Sequence, residues 1–306
     1  MSRLLFALMT LVVTHAASAA VLEVGPGKTY ETLSAAEAAA SAGDTLRLSA
    51  GEHFDCAAIR HANITIEGSG KPEETVLTDK ACQGKGLLIT QGANITVRNL
   101  TLTRARVPDG NGAGIRAEGA NLLVDHVRFV NNQDGILSND NPTSTITVQD
   151  SEFLRNGACN PSCAHGIYAG HIQKLVVLRS RFFETKQAHH VKSRAAQTEV
   201  IDSDLQDGAN GTSSYAIDVP NGGGVLVRGC TIQKGPLSEN HTGAIVIGAE
   251  GVTQRTPAIR IEGNIFHRDG DYPTAFVVNL TATEAELVGN KVAPGIKPLT
   301  GDGTVH

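Results

Sequence analysis

The stretch Val97-Arg-Asn-Leu-Thr-Leu102 returns seven more times along the chain in altered form. The copies are Val124-Asp-His-Val-Arg-Phe129, Val148-Gln-Asp-Ser-Glu-Phe153, Val177-Leu-Arg-Ser-Arg-Phe182, Val200-Ile-Asp-Ser-Asp-Leu205, Val227-Arg-Gly-Cys-Thr-Ile232, Ile261-Glu-Gly-Asn-Ile-Phe266 and Leu287-Val-Gly-Asn-Lys-Val292. Each is apolar at its first and sixth positions. From the third copy on, the fourth position is small or an amide. Successive starts lie 27, 24, 29, 23, 27, 34 and 26 residues apart. A loose period of this size marks a repeat architecture. Ile64-Thr-Ile66 reads as a partial earlier copy.

A second short strand pattern follows each of the first seven copies: Gly114–Ala117, Gly135–Ser138, Gly166–Ala169, His190–Ser193, Ala216–Val219, Ala244–Ile247 and Phe276–Asn279. Two strands per repeat leave no room for a crossover helix, so an alternating β/α sheet is excluded. A coil that stacks each strand on its counterpart satisfies both patterns. With strands about 4.8 Å apart, eight turns give a rod of roughly 40 Å. Composition agrees. Hydrophobic residues at 41% suffice for a core, while aromatics at 4% and no Trp make it a core of Val, Ile, Leu and Ala. The 33 glycines fit many tight turns.

The net charge of −5 argues against a nucleic-acid partner, which calls for a basic stripe. Arg3, the apolar run Leu4 to Val13 and Ala17-Ser18-Ala19 read as a signal peptide over residues 1–19, leaving one domain over 20–306. The run is too short to span a bilayer, and no later one is longer. The expectation is a monomeric periplasmic or secreted protein. Export permits disulfides. Cys56–Cys82 and Cys159–Cys163 are the expected pairs, with Cys230 a free buried thiol; a metal at the Cys159/Cys163 pair is the alternative.

With these repeats in view, the chain resembles the right-handed parallel β-helix, or pectate-lyase-like, superfamily. The resemblance extends to the N-terminus. There Val24-Gly-Pro-Gly-Lys-Thr-Tyr30, an Ala-rich helical segment from Thr32 to Ala42, and Gly43-Asp44-Thr45 look like the superfamily's strand, capping helix and turn into the first coil. A cap covers apolar side chains and backbone groups that an open coil end would expose. The fold expected is therefore an all-β, right-handed parallel β-helix with an N-terminal capping helix.

Alternation along a strand separates two faces. Taking Ile115, Ile136, Ile167, Val191, Ile217, Ile245 and Val277 as the inward row, the following residues face out: Arg116, Leu137, Tyr168, Lys192, Asp218, Val246 and Val278. The same rule sends His190, just before Val191, outward. The central coils thus gather Tyr168, His190, Lys192, Arg194 and Asp218 on one face, with His165, His189 and Tyr215 at the strand entrance.

Such a cluster suits an acidic polysaccharide. Elimination or epimerisation at a uronate needs its carboxylate neutralised, its C5 proton removed by a base, and an acid for the leaving group or opposite face. Lys192 and Arg194 are the neutralising candidates, Lys192 or His190 the base, and Tyr168 the acid, with Asp218 completing the catalytic group. Arg194, His165, His189, Arg116 and Tyr215 are the substrate-binding candidates. His190-Val-Lys192-Ser193 resembles the "Lys-Ser" strand of the chondroitinase B and alginate lyase type, where that Lys is the base. That type carries an Arg one coil later, where this chain has Asp218. It also uses calcium, the one cofactor the resemblance brings, although no dense Asp/Glu set for it stands in the sequence. Mannuronan epimerases of the same fold combine Tyr, His, Asp and Arg. Inverting hydrolysis needs three clustered Asp, which Asp134 and Asp218 do not supply. The competing readings are a non-catalytic glycan-binding or polysaccharide-export β-helix and a plain structural rod. Lys192 above Asp218 also reads simply as a cross-strand ion pair on a solvated sheet. Asn63, Asn94, Asn121, Asn264 and Asn290 recur near turns and read as structural, because Asn accepts left-handed backbone.

Overall fold

The computed structural model describes residues 19–306, so the signal-peptide reading of residues 1–19 falls almost wholly outside the described residues. Among the described residues the chain winds into a solenoid of parallel strands with one α-helix, Leu33–Ala39. One face is a ten-stranded sheet running Ala57–Ile59, Gly86–Thr90, Ala113–Ala117, Asp134–Ser138, Ile167–Ala169, Val191–Ser193, Ile217–Val219, Gly243–Ile247, Ala275–Asn279 and Lys297–Thr300. A twenty-stranded sheet wraps the other two faces. Ten rungs at about 4.8 Å make the rod roughly 43 Å long.

Eight repeats were visible in sequence, and the structure has more coils. The row Val97, Val124, Val148, Val177, Val200, Val227, Ile261 and Leu287 continues backwards through Ile66 and Leu46. Those early strands, Thr45–Leu48 and Thr65–Gly68, are four residues long and carry no full hexapeptide. The helix is also shorter than Thr32–Ala42. Thr32 caps it, its hydroxyl accepting the Ala35 N–H, and Ala40 is already extended. Leu33 and Ala36 seal the first coil. Asp44 fixes the turn that follows by accepting the N–H groups of Ala20 and Ser41, each at 2.8 Å.

The expected inward row holds in full: Ile115, Ile136, Ile167, Val191, Ile217, Ile245 and Val277 stack rung on rung, all completely buried. At one corner Phe129, Phe153 and Phe182 stack with ring centroids 4.5 Å apart. Opposite them sit Gly114, Gly135 and Gly166, where an added Cβ would come within 2.8, 2.8 and 3.2 Å of those rings. Position and space explain the glycines. They also show that the residue before the inward row points toward these rings, because the chain bends there at the corner and regular alternation is lost.

The fourth position of the repeat has a structural reason. The N–H groups of Val127, Ser151 and Ser180 donate to the hydroxyls of Ser151, Ser180 and Ser203 one coil on. The N–H groups of Cys230 and Asn264 donate to the amide oxygens of Asn264 and Asn290. Small polar residues recur there because each satisfies a buried backbone donor of its neighbour. Asn63, Asn94 and Asn121 do adopt left-handed backbone, whereas Asn264 and Asn290 leave that to Gly263 and Gly289 and serve the buried row instead. On the outside, Glu23, Arg47, Glu67, Arg98 and Asp125 occupy successive rungs with alternating charge. Burial works to raise the Glu67 carboxyl, but Arg47 at 2.6 Å and Arg98 at 2.5 Å outweigh it and hold it below the usual range.

Both expected disulfides are present, Cys56–Cys82 and Cys159–Cys163, and Cys230 is free and buried. With Cys159 and Cys163 oxidised, a metal at that pair is overturned. No helix among the described residues is long and apolar enough to cross a membrane.

Candidate active site

The outward row is in register as expected: Arg116, Leu137, Tyr168, Lys192, Asp218, Val246 and Val278. Its middle opens into a cleft of about 400 Å³ lined by His165, Tyr168, His189, Lys192, Glu239 and Glu250 among others. The hairpin of Ala158–Cys159 and Cys163–Ala164, closed by its disulfide, forms one wall.

Lys192 lies at the bottom of the cleft, nearly buried. Its Nζ sits 2.9 Å from Asp218 Oδ2 and 2.5 Å from Glu250 Oε1. Burial alone would lower its pKa, yet the two carboxylates prevail and hold it above the ordinary lysine value. The pair is therefore not the solvated cross-strand contact of the competing reading but a buried ionic group. Arg194 Nη2 grips the other oxygen of Glu250 at 2.6 Å, while its Nε–H donates to the Tyr168 hydroxyl oxygen at 2.9 Å. Its Nη1 donates to Asn221. Tyr168 lies beside both cations, with Lys192 Nζ 5.9 Å and Arg194 Cζ 5.7 Å from the ring centre. Asp218 Oδ1 is buried and has no hydrogen-bond partner among the described residues.

His165, His189 and Tyr215 form an aromatic stack beside this group, with centroids 5.1 and 5.0 Å apart. Tyr168 meets His165 edge-on at 5.1 Å. Burial pushes both imidazoles down, His165 well below the usual value and His189 to about 3, and nearby Lys192 adds to the effect in each. Tyr215 packs against Val246, Ala275 and Val278, which closes the apolar end of the face.

Two expected residues stand elsewhere. His190 does not face out. It occupies the corner position taken by glycine on earlier coils and is fully buried, edge-on to Phe182. Its Nδ1 lies 2.7 Å from Thr185 Oγ1 and its Nε2 3.1 Å from Asp207 Oδ1. Arg116 is two rungs from Tyr168, with Leu137 between, and donates to Asn139. Sequence reading missed Glu250 and Glu239. Both lie in the longest repeat, the 34 residues between Val227 and Ile261, and that extra length was the available signal.

The family model described as right handed beta helix region matches residues 53–205, half of the chain. The chain belongs to this family. Among solved structures, the β-helix is similar to an alginate lyase from Paenibacillus sp. str. FPU-7, at TM-score 0.72 and 18% identity over 93% of this chain and 99% of that one. It is also similar to ORF18 of Geobacillus virus E2, at TM-score 0.57 and 12% identity over 90% of this chain and 56% of that one. A pectin methylesterase from Aspergillus niger follows at TM-score 0.51 and 12% identity, covering 96% and 93%. At these identities the likeness is one of fold. No curated protein sequence matches the chain.

Proposed function

We propose that this β-helix acts on a uronate-containing polysaccharide by removing the C5 proton. One observation carries the reading: Lys192 and Arg194 already clasp a carboxylate, that of Glu250, with the Tyr168 hydroxyl attached to the same guanidinium. A substrate carboxylate that displaces the half-exposed Glu250 side chain enters a ready cation pair. There its charge is neutralised, which acidifies the C5 hydrogen. Lys192 is held protonated by Asp218 and Glu250 and acts as a cation in this scheme. His190 is inside the core, so proton transfer falls to Tyr168. As substrate binds, the Tyr168 hydroxyl, held by the Arg194 Nε–H, gives its proton to solvent; the oxygen then takes the C5 proton, the C4–C5 double bond forms as the C4–O4 bond breaks, and the hydroxyl returns that proton to O4. Return of a proton to C5 from the opposite face would give an epimer instead.

The test is ultraviolet absorbance of unsaturated uronate after incubation with alginate, pectate, glucuronan and chondroitin, with and without calcium. Alginate comes first because the structurally similar Paenibacillus protein is an alginate lyase. Wild type is expected to generate absorbance, and Lys192→Met to lose about 10²- to 10³-fold in rate, the scale of removing one charge-stabilising donor. If no polymer yields absorbance, C5 exchange in heavy water tests epimerisation. Neither signal on any polymer overturns the proposal.

A further inference from the structure

At the site corner, four successive coils are joined by three side chains, each accepting the next coil's backbone N–H. Asp134 Oδ1 accepts from His165 N at 2.6 Å. His165 Nδ1 accepts from His189 N at 3.2 Å, and His189 Nδ1 accepts from Tyr215 N at 3.1 Å. A nitrogen that faces an N–H donor carries no proton of its own. Each neutral imidazole has one proton to place, so it goes to Nε2. Charging either ring would set a second N–H against the backbone donor and break a link between coils.

We infer that His165 and His189 are locked as uncharged Nε2–H tautomers, with His165 donating a hydrogen bond to a substrate oxygen beside Tyr168 and His189 positioning Asp218. The substrate part rests on the proposed function; the tautomer part does not. His165 lines the cleft, and among the described residues its one side-chain hydrogen bond is at Nδ1, which leaves the far nitrogen for a ligand. His189 Nε2 lies 3.4 Å from Asp218 Oδ2, the oxygen that also holds Lys192. The charged groups around the rings are Asp134, Lys192, Arg194, Lys234, Asp218 and Glu250. Burial, with Lys192 near both rings, Arg194 near His165 and Lys234 near His189, outweighs the pull of Glu250 on His189 and disfavours a further positive charge, which agrees with the geometry. Neither ring then serves as a base.

Asp134 supplies the means of test, because it shows that a short side-chain oxygen suffices as the coil-to-coil acceptor. His165→Asn keeps such an acceptor and removes the Nε2–H. Full-length protein labelled with ¹⁵N-histidine is expected to show both rings with bare Nδ1 and protonated Nε2, unchanged from pH 8 to pH 5. His165→Asn and His189→Asn assign the signals. A proton on Nδ1, or titration within that range, overturns the lock. For the donor role, His165→Asn is expected to match wild type in urea midpoint and to lose roughly 10- to 100-fold in kcat/KM, as for one hydrogen bond to a charged partner. Full activity in His165→Asn overturns it. Should wild type turn over no uronan, the proposed function fails while the tautomer result stands. Titrating an oligouronate into Tyr168→Phe protein and following the His165 Nε2–H signal then decides the donor role without turnover: a shift supports it, and an unmoved signal overturns it.

Discussion

Two rows of side chains tie neighbouring coils together, at two different corners of the solenoid. One runs through Ser151, Ser180, Ser203, Asn264 and Asn290. The other runs through Asp134, His165 and His189. Both satisfy buried backbone donors with side-chain acceptors. The first row uses small groups that are consumed by the task. The second uses imidazole, which has a second nitrogen left over and room to present it. The difference teaches how a repetitive scaffold gains a site: one fastening position is filled by a residue with spare chemistry.

The strongest way to break this comparison is at Asn264. It accepts from Cys230 N, and its amide donates to Val227 O at 3.0 Å. Asn264→Ala leaves both buried groups unpaired and is expected to cost about 2 to 4 kcal/mol in urea denaturation. A cost near that of an exposed substitution would show that the polar row does not fasten the coils.

The next test probes the interior behind the site corner. Lys234 is almost fully buried and donates to Ser214 O. Burial pushes its ammonium down to about 8 against the opposing pull of Asp207. Between pH 8 and about 10.5 the unfolded chain binds a proton that the folded chain does not, so stability rises with pH across that window. The shift corresponds to about 3 kcal/mol. Lys234→Met removes the group, and its advantage over wild type is expected to be full below pH 8 and to vanish above pH 10.5. A constant difference at all pH values would refute the assignment. The smallest effect belongs to Ser180→Ala, expected at about 1 kcal/mol, since Ser151 N loses one partner. A much larger loss would mean that the serine row does more than accept.

Much of this was legible in the sequence. Strict stacking of one residue type per rung made the inward row readable, and the register then placed Tyr168, Lys192, Asp218 and Arg194 together. The close spacing of Cys159 and Cys163 suggested one disulfide, and pairing Cys56 with Cys82 then left Cys230 as the buried free thiol. What failed had physical causes. Strand alternation does not apply at a corner, so His190 was set outside when it fills the space that glycine leaves open elsewhere. Glu250 reaches Lys192 across 58 residues from a loop whose path no periodicity describes. The purpose of the fourth repeat position became visible only once each hydroxyl could be seen beside the preceding coil's N–H.

The alternating row Glu23, Arg47, Glu67 and Arg98 bears on how the coils assemble in time. Apolar rungs are nearly interchangeable, so a newly formed coil could dock on the wrong neighbour with little loss of burial. Skipping one coil here would set Glu23 against Glu67, or Arg47 against Arg98, and like charges directly opposite are destabilising. The charges therefore favour the native stacking of each coil over a one-coil slip, and they do so at the N-terminal end of the rod, where the alternating row lies.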